Sequence, residues 1–315
     1  MDSEVPRIVT QGNLVLAIGV SPKRGNPEPV ARSEIKGFSS ASRKRMIQQC
    51  AKMGKAIPVF VTLTYGKSYP ADPAEWKNHL HKWGKRLVRY NPELSAIWRL
   101  EPQKRGAPHF HLLVYQSDGR KPFIPKEWVA NSWSGVLGEY SDEDHLKAGT
   151  RIESLRSSRG AAFYCAKYCA KLPEDDDFPP EWDRAGRLWG SFNKKKLREA
   201  EAPQHEMILH SGLEQQATLF AMKDAYKKSF IAKKKAEYEK QGEKCALWAS
   251  EQAENDWNEA VKDNEYLGNT TTFYGDATDF MKALSAKICT LELALAKKLG
   301  RDPDPRVIDR LASSF

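Results

Sequence analysis

Two His-x-His pairs occur in the 315-residue chain, and their settings separate them. His79 and His81 fall in a stretch of helical periodicity, where positions i and i+2 point about 200° apart. They cannot readily grip one ion and read as solvated helix residues. His109 and His111 fall in HFHLLVY (109–115), which reads as a strand. There i and i+2 share a face, so the two imidazoles can share a metal, with Phe110, Leu112 and Val114 turned to the core. Glu101 ends the preceding strand, SAIWRLE (95–101), and a hairpin through KRGAP returns the chain beside it. Glu101, His109 and His111 give a mixed nitrogen–oxygen set with room for water and substrate oxygens. Such a set suits one Mg²⁺ or Mn²⁺ acting on phosphate, and two histidines with a carboxylate also serve zinc. The competing reading is two histidines on a half-exposed sheet face, with Glu101 a strand-end charge paired with Arg99 or Arg105.

The second constellation is FYCAKYCAK (163–171). On a helix Tyr164 and Tyr168 lie about 40° apart on one face, with Lys167 and Lys171 on the same side. Ala162, Cys165, Ala166, Cys169 and Leu172 form a small-residue face opposite. A tyrosine oxygen can be a covalent nucleophile, and neighbouring cations offset phosphate charge. The plain alternative is an amphipathic helix with two partly buried aromatics. Gly66-Lys67-Ser68 resembles the end of a phosphate-binding loop, but the pattern needs glycine at position 61, which is Val61. No nucleotide-hydrolysing motor is supported.

The elements around these residues are an α+β set. Leu14–Val20 reads as a short strand, Ser21–Pro29 as a loop, and Ser39 or Ser40 as the cap of a helix through Met53. VFVTLTY (59–65) is rich in β-branched and aromatic residues and reads as a strand. Asp72, Pro73 and Glu75 give a helix start with a capping box, followed by an apolar stripe of Trp76, Leu80, Trp83 and Leu87. Further expectations are a helix over Pro125–Val136, a strand over Arg151–Leu155, a helix over Ser158–Lys171 and a last strand within 186–192. Residues 213–265 read as long, polar and helical, and 276–299 as another helical stretch before a short terminal helix. The organisation expected is a basic N-terminal segment (1–55), a catalytic domain (56–205) and a helical C-terminal region (206–315).

Composition narrows the class. Lys and Arg number 50 against 41 Asp and Glu, a formal charge of +9. Ten of those basic residues and only four acids lie in residues 1–58, so most of the surplus is local. Arg43, Lys44 and Arg45 are candidate phosphate contacts there, as are Arg105 and the Lys223–Lys244 run, whose alternative is a solvated charged face. The longest apolar runs, Leu14–Val20 and Ala56–Leu63, are too short to span a bilayer. No secretory signal is visible, and five cysteines without CxxC pairs point to a reduced, cytoplasmic chain.

Taken in order, the FVTLTY strand, E-x7-H-F-H and Y-x3-Y with interleaved lysines resemble the HUH endonucleases, in particular rolling-circle replication initiators (Rep). YCAKYCAK is most similar to the two-tyrosine replication proteins of small single-stranded DNA phages and related plasmids. The resemblance covers roughly residues 56–200. It implies a mainly antiparallel central sheet flanked by helices, with the metal histidines on a central strand. It also implies that His109, His111 and Glu101 hold one Mg²⁺ or Mn²⁺ at the scissile phosphate of single-stranded or hairpin origin DNA. Tyr164 or Tyr168 would attack phosphorus, leaving a 5′-phosphotyrosine and a free 3′-hydroxyl, with Lys167 or Lys171 assisting. A host helicase and replication proteins are the partners implied, in a bacterial host cytoplasm and away from membranes. Rivals are a two-tyrosine transposase, a relaxase, and a non-catalytic basic nucleic-acid-binding protein.

Overall fold

The computed structural model describes residues 5–20, 38–138, 142–155, 178–182, 185–240, 246–262, 272–305 and 307. In chain order the elements are β1 (Arg7–Gln11), β2 (Leu14–Ile18), α1 (Ser40–Lys52), β3 (Val59–Thr64), α2 (Pro73–Tyr90), β4 (Leu94–Pro102) and β5 (Pro108–Gln116). They continue with α3 (Lys126–Leu137), α4 (Glu143–Ala148), β6 (Thr150–Ser154), β7 (Trp189–Phe192), α5 (Lys194–Glu199) and β8 (Gln204–Ile208). The last are α6 (Gly212–Lys240), α7 (Ala246–Lys262), β9 (Thr272–Tyr274) and α8 (Ala277–Leu299). The fold is α+β, with antiparallel sheets, flanking helices and a helical C-terminal region. It divides into two compact units, Glu28–Pro203 and Met1–Pro27 with Gln204–Phe315. Among the described residues no helix is long and apolar enough to cross a membrane.

The Glu28–Pro203 unit is built on a five-stranded sheet in the order β6-β3-β5-β4-β7, every pairing antiparallel. β5 is therefore its central strand. β3 is Val-Phe-Val-Thr-Leu-Thr, and its stiff β-branched side chains suit the pleat. β4 and β5 form a hairpin whose turn is closed by Gly106 N–H to Gln103 O (2.8 Å) and Gln103 N–H to Ala107 O (2.9 Å). Gly106 has φ 81°, a left-handed conformation in which glycine carries no Cβ penalty. α2 covers one sheet face. Asp72 Oδ1 caps it by accepting from Ala74 N–H at 2.9 Å, while Glu75 N–H bonds to the Asp72 backbone oxygen, so the cap falls one residue earlier than a capping box requires. Its Trp76, Leu80, Trp83 and Leu87 are all at most 1% exposed. Burying each contributes roughly 1.5–3 kcal/mol, which fixes α2 on the sheet.

The other unit has a four-stranded antiparallel sheet, β8-β1-β2-β9. Its core joins Ile8, Val15 and Ala17 to Ala217, Met222, Phe280, Leu284 and Ile288 from α6 and α8. Only β2 is evident in the sequence. β1, β8 and β9 run three to five residues, and β1 pairs with β8 across the chain, Arg7 opposite Ile208. The stretch read as one helical region over 213–265 is two helices, α6 and α7, joined by Phe230 against Trp257 and by Lys227–Glu254 at 2.7 Å.

Candidate active site

The strand pairing decides which side chains meet. His109 and His111 on β5 stand opposite Thr64 and Thr62 on β3, and opposite Glu101 and Arg99 on β4. Directly paired residues share a face, so three neighbouring strands place six polar side chains on one side of the sheet. The alternate positions, Val61, Leu63, Leu100, Phe110 and Leu112, are at most 1% exposed and face the helices, with Phe110 edge-on to Trp133 of α3. The His109 and His111 rings lie 4.4 Å apart between centroids.

Each imidazole is held differently. His111 is buried and stacks on Phe60 at 5.3 Å. Its Nε2 lies 2.7 Å from Glu101 Oε1 and its Nδ1 3.3 Å from Thr62 Oγ1. In the tautomer whose Nε2–H donates to the carboxylate, Nδ1 accepts from the threonine hydroxyl. His109 meets Gln103 Nε2 through Nδ1 at 3.0 Å, and its buried Nε2 has no hydrogen-bond partner among the described residues. Gln103 is turned by Arg105, whose Nε donates to Gln103 Oε1 at 3.1 Å. The Arg105 guanidinium is in turn clamped on the backbone oxygens of Tyr65, Gly66 and Lys67.

Charge follows from these contacts. Burial opposes ionisation of Glu101. The hydrogen bond from His111 and the electrostatic pull of the His111, Arg99 and His109 side chains outweigh it and hold the carboxyl below its ordinary range. Arg99 Nη2 lies 3.5 Å from Glu101 Oε2, with the guanidinium over the Phe38 ring at 4.8 Å. Burial, reinforced by His111 and only partly offset by Glu101, pulls His109 down to about 4. His109 is therefore neutral at physiological pH, the form in which imidazole ligates a metal.

Among the described residues no three His, Cys, Asp or Glu side chains converge as a closed metal-ligand set. In this cluster Glu101 and His111 face each other in a hydrogen bond instead of a common point. The donor chemistry nonetheless fits a divalent ion. One carboxylate and two imidazoles share a face, and a buried ring nitrogen stands unpartnered among the described residues. Glu101, His109 and His111 would hold such an ion, and it would supply a Lewis acid at this face of the sheet. The Gln103 amide stands at His109 Nδ1, where the outer partner of a ligating histidine is usually found.

The other candidate residues fall out as follows. Tyr164, Lys167, Tyr168 and Lys171 lie outside the described residues. On α1, Lys44 and Arg45 are exposed and Arg43 is half-buried. Arg105 is exposed, and its guanidinium holds the β3 exit to the hairpin. In the Lys223–Lys244 run, Lys227 and Lys234 pair with Glu254 and Asp256 of α7. His79 is a correction. It is half-buried, not simply solvated, with Nδ1 3.0 Å from Tyr65 Oη, while His81 is exposed. Burial and nearby Lys82 lower the His79 pKa, partly countered by Glu75. Thr62 and Gln103 were missed, because only the strand register and the turn geometry bring them to the histidines.

Residues 58–173 match a family model for replication-associated proteins of the ORF2 type. The chain is 27% identical over 182 residues to a provisionally named replication protein of Xylella fastidiosa (strain Temecula1), covering 55% of this chain and 66% of that one. It is 23% identical over 175 residues to a replication-associated protein of Pseudomonas phage Pf3, covering 52% and 60%. The chain thus spans less than two thirds of the length of these relatives. No solved structure matches. The matched stretch starts at the edge of β3, contains Glu101, His109 and His111, and runs past Tyr168. These likenesses are to replication-associated proteins, over the stretch that carries the site.

Proposed function

We propose that this protein initiates rolling-circle replication by nicking and rejoining single-stranded DNA, with Glu101, His109 and His111 holding one Mg²⁺ or Mn²⁺. The reading rests chiefly on one observation. The β4–β5 hairpin puts a depressed carboxylate and two imidazoles on one face of the central strand, with the buried His109 Nε2 unpartnered among the described residues. When bound, the ion supplies a Lewis acid at the scissile phosphate. The chain's own residues supply the rest. Arg99 and Thr62 fix the Glu101 and His111 side chains, and Gln103 fixes the His109 ring. The phenolic oxygen of Tyr164 or Tyr168 attacks phosphorus, the P–O3′ bond breaks, and the 3′-oxygen takes a proton. The products are a 5′-phosphotyrosine and a 3′-hydroxyl, and the reverse attack reseals the strand without a nucleotide cofactor. Lys167 or Lys171 offsets phosphate charge and eases loss of the phenolic proton, which is otherwise held to a pH near 10.

The experiment is covalent transfer of labelled single-stranded oligonucleotides, drawn from a library of origin-like hairpins, to the protein with Mg²⁺ or Mn²⁺. The expected result is a protein–DNA adduct that chelation abolishes and that the Tyr164→Phe, Tyr168→Phe double variant lacks. No adduct from the wild type across the library overturns the endonuclease reading. An adduct retained in the double variant overturns the tyrosine assignment.

A further inference from the structure

The opposite side of the same unit carries a second set of groups that the proposed chemistry does not use. A groove of about 450 Å³ lies between α2 and α3, lined by Arg86, Arg89, Tyr90, Trp128, Asn131 and Ser132. Phe110 contacts α3, while His109 and His111 point the other way, so this groove and the histidines are on opposite sides of the sheet. They are also at opposite ends of it. α2 ends at Tyr90 just before β4 starts at Leu94, and Glu101 lies at the far end of β4, about 24 Å along the strand.

The groove is aromatic, cationic and free of acids. Tyr90 is 40% exposed, and its ring sits 4.5 Å from that of Trp128, which is braced from behind by Trp83 at 6.2 Å. Arg86 staples the two helices by donating to Ser132 O (2.9 Å) and Gly135 O (3.2 Å), so the platform is preformed. Ser132, one of the lining residues, is 8% exposed, and its buried Oγ has no partner among the described residues. After Glu75, α2 carries Lys77, Lys82, Lys85, Arg86 and Arg89 and no acid. Lys82, Lys85 and Arg89 follow at spacings of three and four on the exposed face, and none of them makes a hydrogen bond or ion pair among the described residues. A cationic stripe that leads onto a rigid aromatic pair matches a polyanion bearing flat, unpaired rings.

We propose that this groove binds an unpaired nucleotide of single-stranded DNA, the base lying on the Tyr90–Trp128 pair and the backbone phosphates meeting Arg89 and the α2 stripe. The inference rests on the DNA-handling reading only for the kind of strand supplied. A protein segment is the other occupant such a surface could take, and the test decides between them.

The probe is a fluorescently labelled oligothymidylate, with anisotropy read at several salt concentrations against a duplex of equal length. Tyr90→Ala should weaken single-strand binding about fivefold or more, the loss of one stacked base, and Tyr90→Phe should restore it. Arg89→Ala should reduce the slope of log affinity against log salt by about 0.7, one phosphate on a single strand. Duplex binding should be unchanged, and unaltered thermal melts show that the exposed substitutions leave the fold intact. Tyr90→Ala within twofold of wild type overturns the proposal. So does equal weakening of duplex, or failure of Tyr90→Phe to rescue; a protein-docking surface predicts that Tyr90→Ala leaves single-strand binding unchanged. Adduct formation and oligothymidylate anisotropy are read separately on the same proteins. Lack of an adduct in the wild type therefore counts against the nicking reading alone, and unaffected binding by Tyr90→Ala against this one alone.

Discussion

His79 and His81 stand two residues apart on α2, and His109 and His111 stand two residues apart on β5. The helix sends its pair in different directions, one to Tyr65 Oη and one to solvent. The strand stacks its pair 4.4 Å apart on one face, beside a carboxylate that the neighbouring strand brings into register. Identical spacing thus has opposite chemical meaning, and the element that carries it decides which. Burial lowers both His79 and His109, but only His109 sits beside a second imidazole and a carboxylate, and only it is taken down to about 4.

The contrast is broken most directly by removing each pair. His109→Ala or His111→Ala should cut adduct formation at least about 100-fold, the scale of losses around metal ligands, whereas His79→Ala with His81→Ala should leave it within about twofold. Gel quantification of the adduct reads both, and equal losses would show that the helical pair matters as much as the strand pair. The next effect concerns orientation. Gln103→Leu removes the group facing His109 Nδ1 and should weaken Mn²⁺ binding about 10- to 100-fold while leaving the thermal midpoint nearly unchanged. Affinity equal to wild type would remove Gln103 from the account.

A pH series sharpens the comparison further. A histidine whose folded pKa is depressed binds fewer protons folded than unfolded, so stability is lost as pH falls below the unfolded value near 6.5. For His109 that loss continues to about pH 4, where the folded ring itself protonates. In metal-free protein, His109→Gln should flatten the fall in unfolding free energy between pH 6.5 and about 4 more than His79→Gln does. Chemical denaturation at each pH tests this, and the reverse order would contradict the burial argument. The smallest effect belongs to Tyr65→Phe. It deletes the hydroxyl that meets His79 Nδ1 and should cost about 0.5–1.5 kcal/mol of unfolding free energy without touching metal affinity.

Much of this arrangement was legible in the residues. Asp72-Pro73 and the Trp76, Leu80, Trp83, Leu87 stripe announce α2, and alternation in HFHLLVY announces which face of β5 is core. The Glu101–His109 pairing follows from a short turn between two strong strands. Other features were not legible, for physical reasons. The Thr62–His111 contact depends on the β3–β5 register, and the Arg105–Gln103–His109 chain on the conformation of a five-residue turn. His79 reads as solvated because nothing local reveals that Tyr65, fourteen residues earlier, folds back onto it. β1 and β8 are short and partly polar, and about two hundred residues separate the partners, so neither strand carries a strong signal alone.

The measurement that tests the central claim most directly is a calorimetric titration of Mn²⁺ into metal-free protein, run on the wild type, His109→Ala and the His79→Ala, His81→Ala pair. One bound ion is expected for the wild type and for the helical-pair variant, and none at that affinity for His109→Ala. A wild type that binds no ion, or an ion kept by His109→Ala and lost from the helical-pair variant, would contradict the assignment of the β5 histidines as the metal centre.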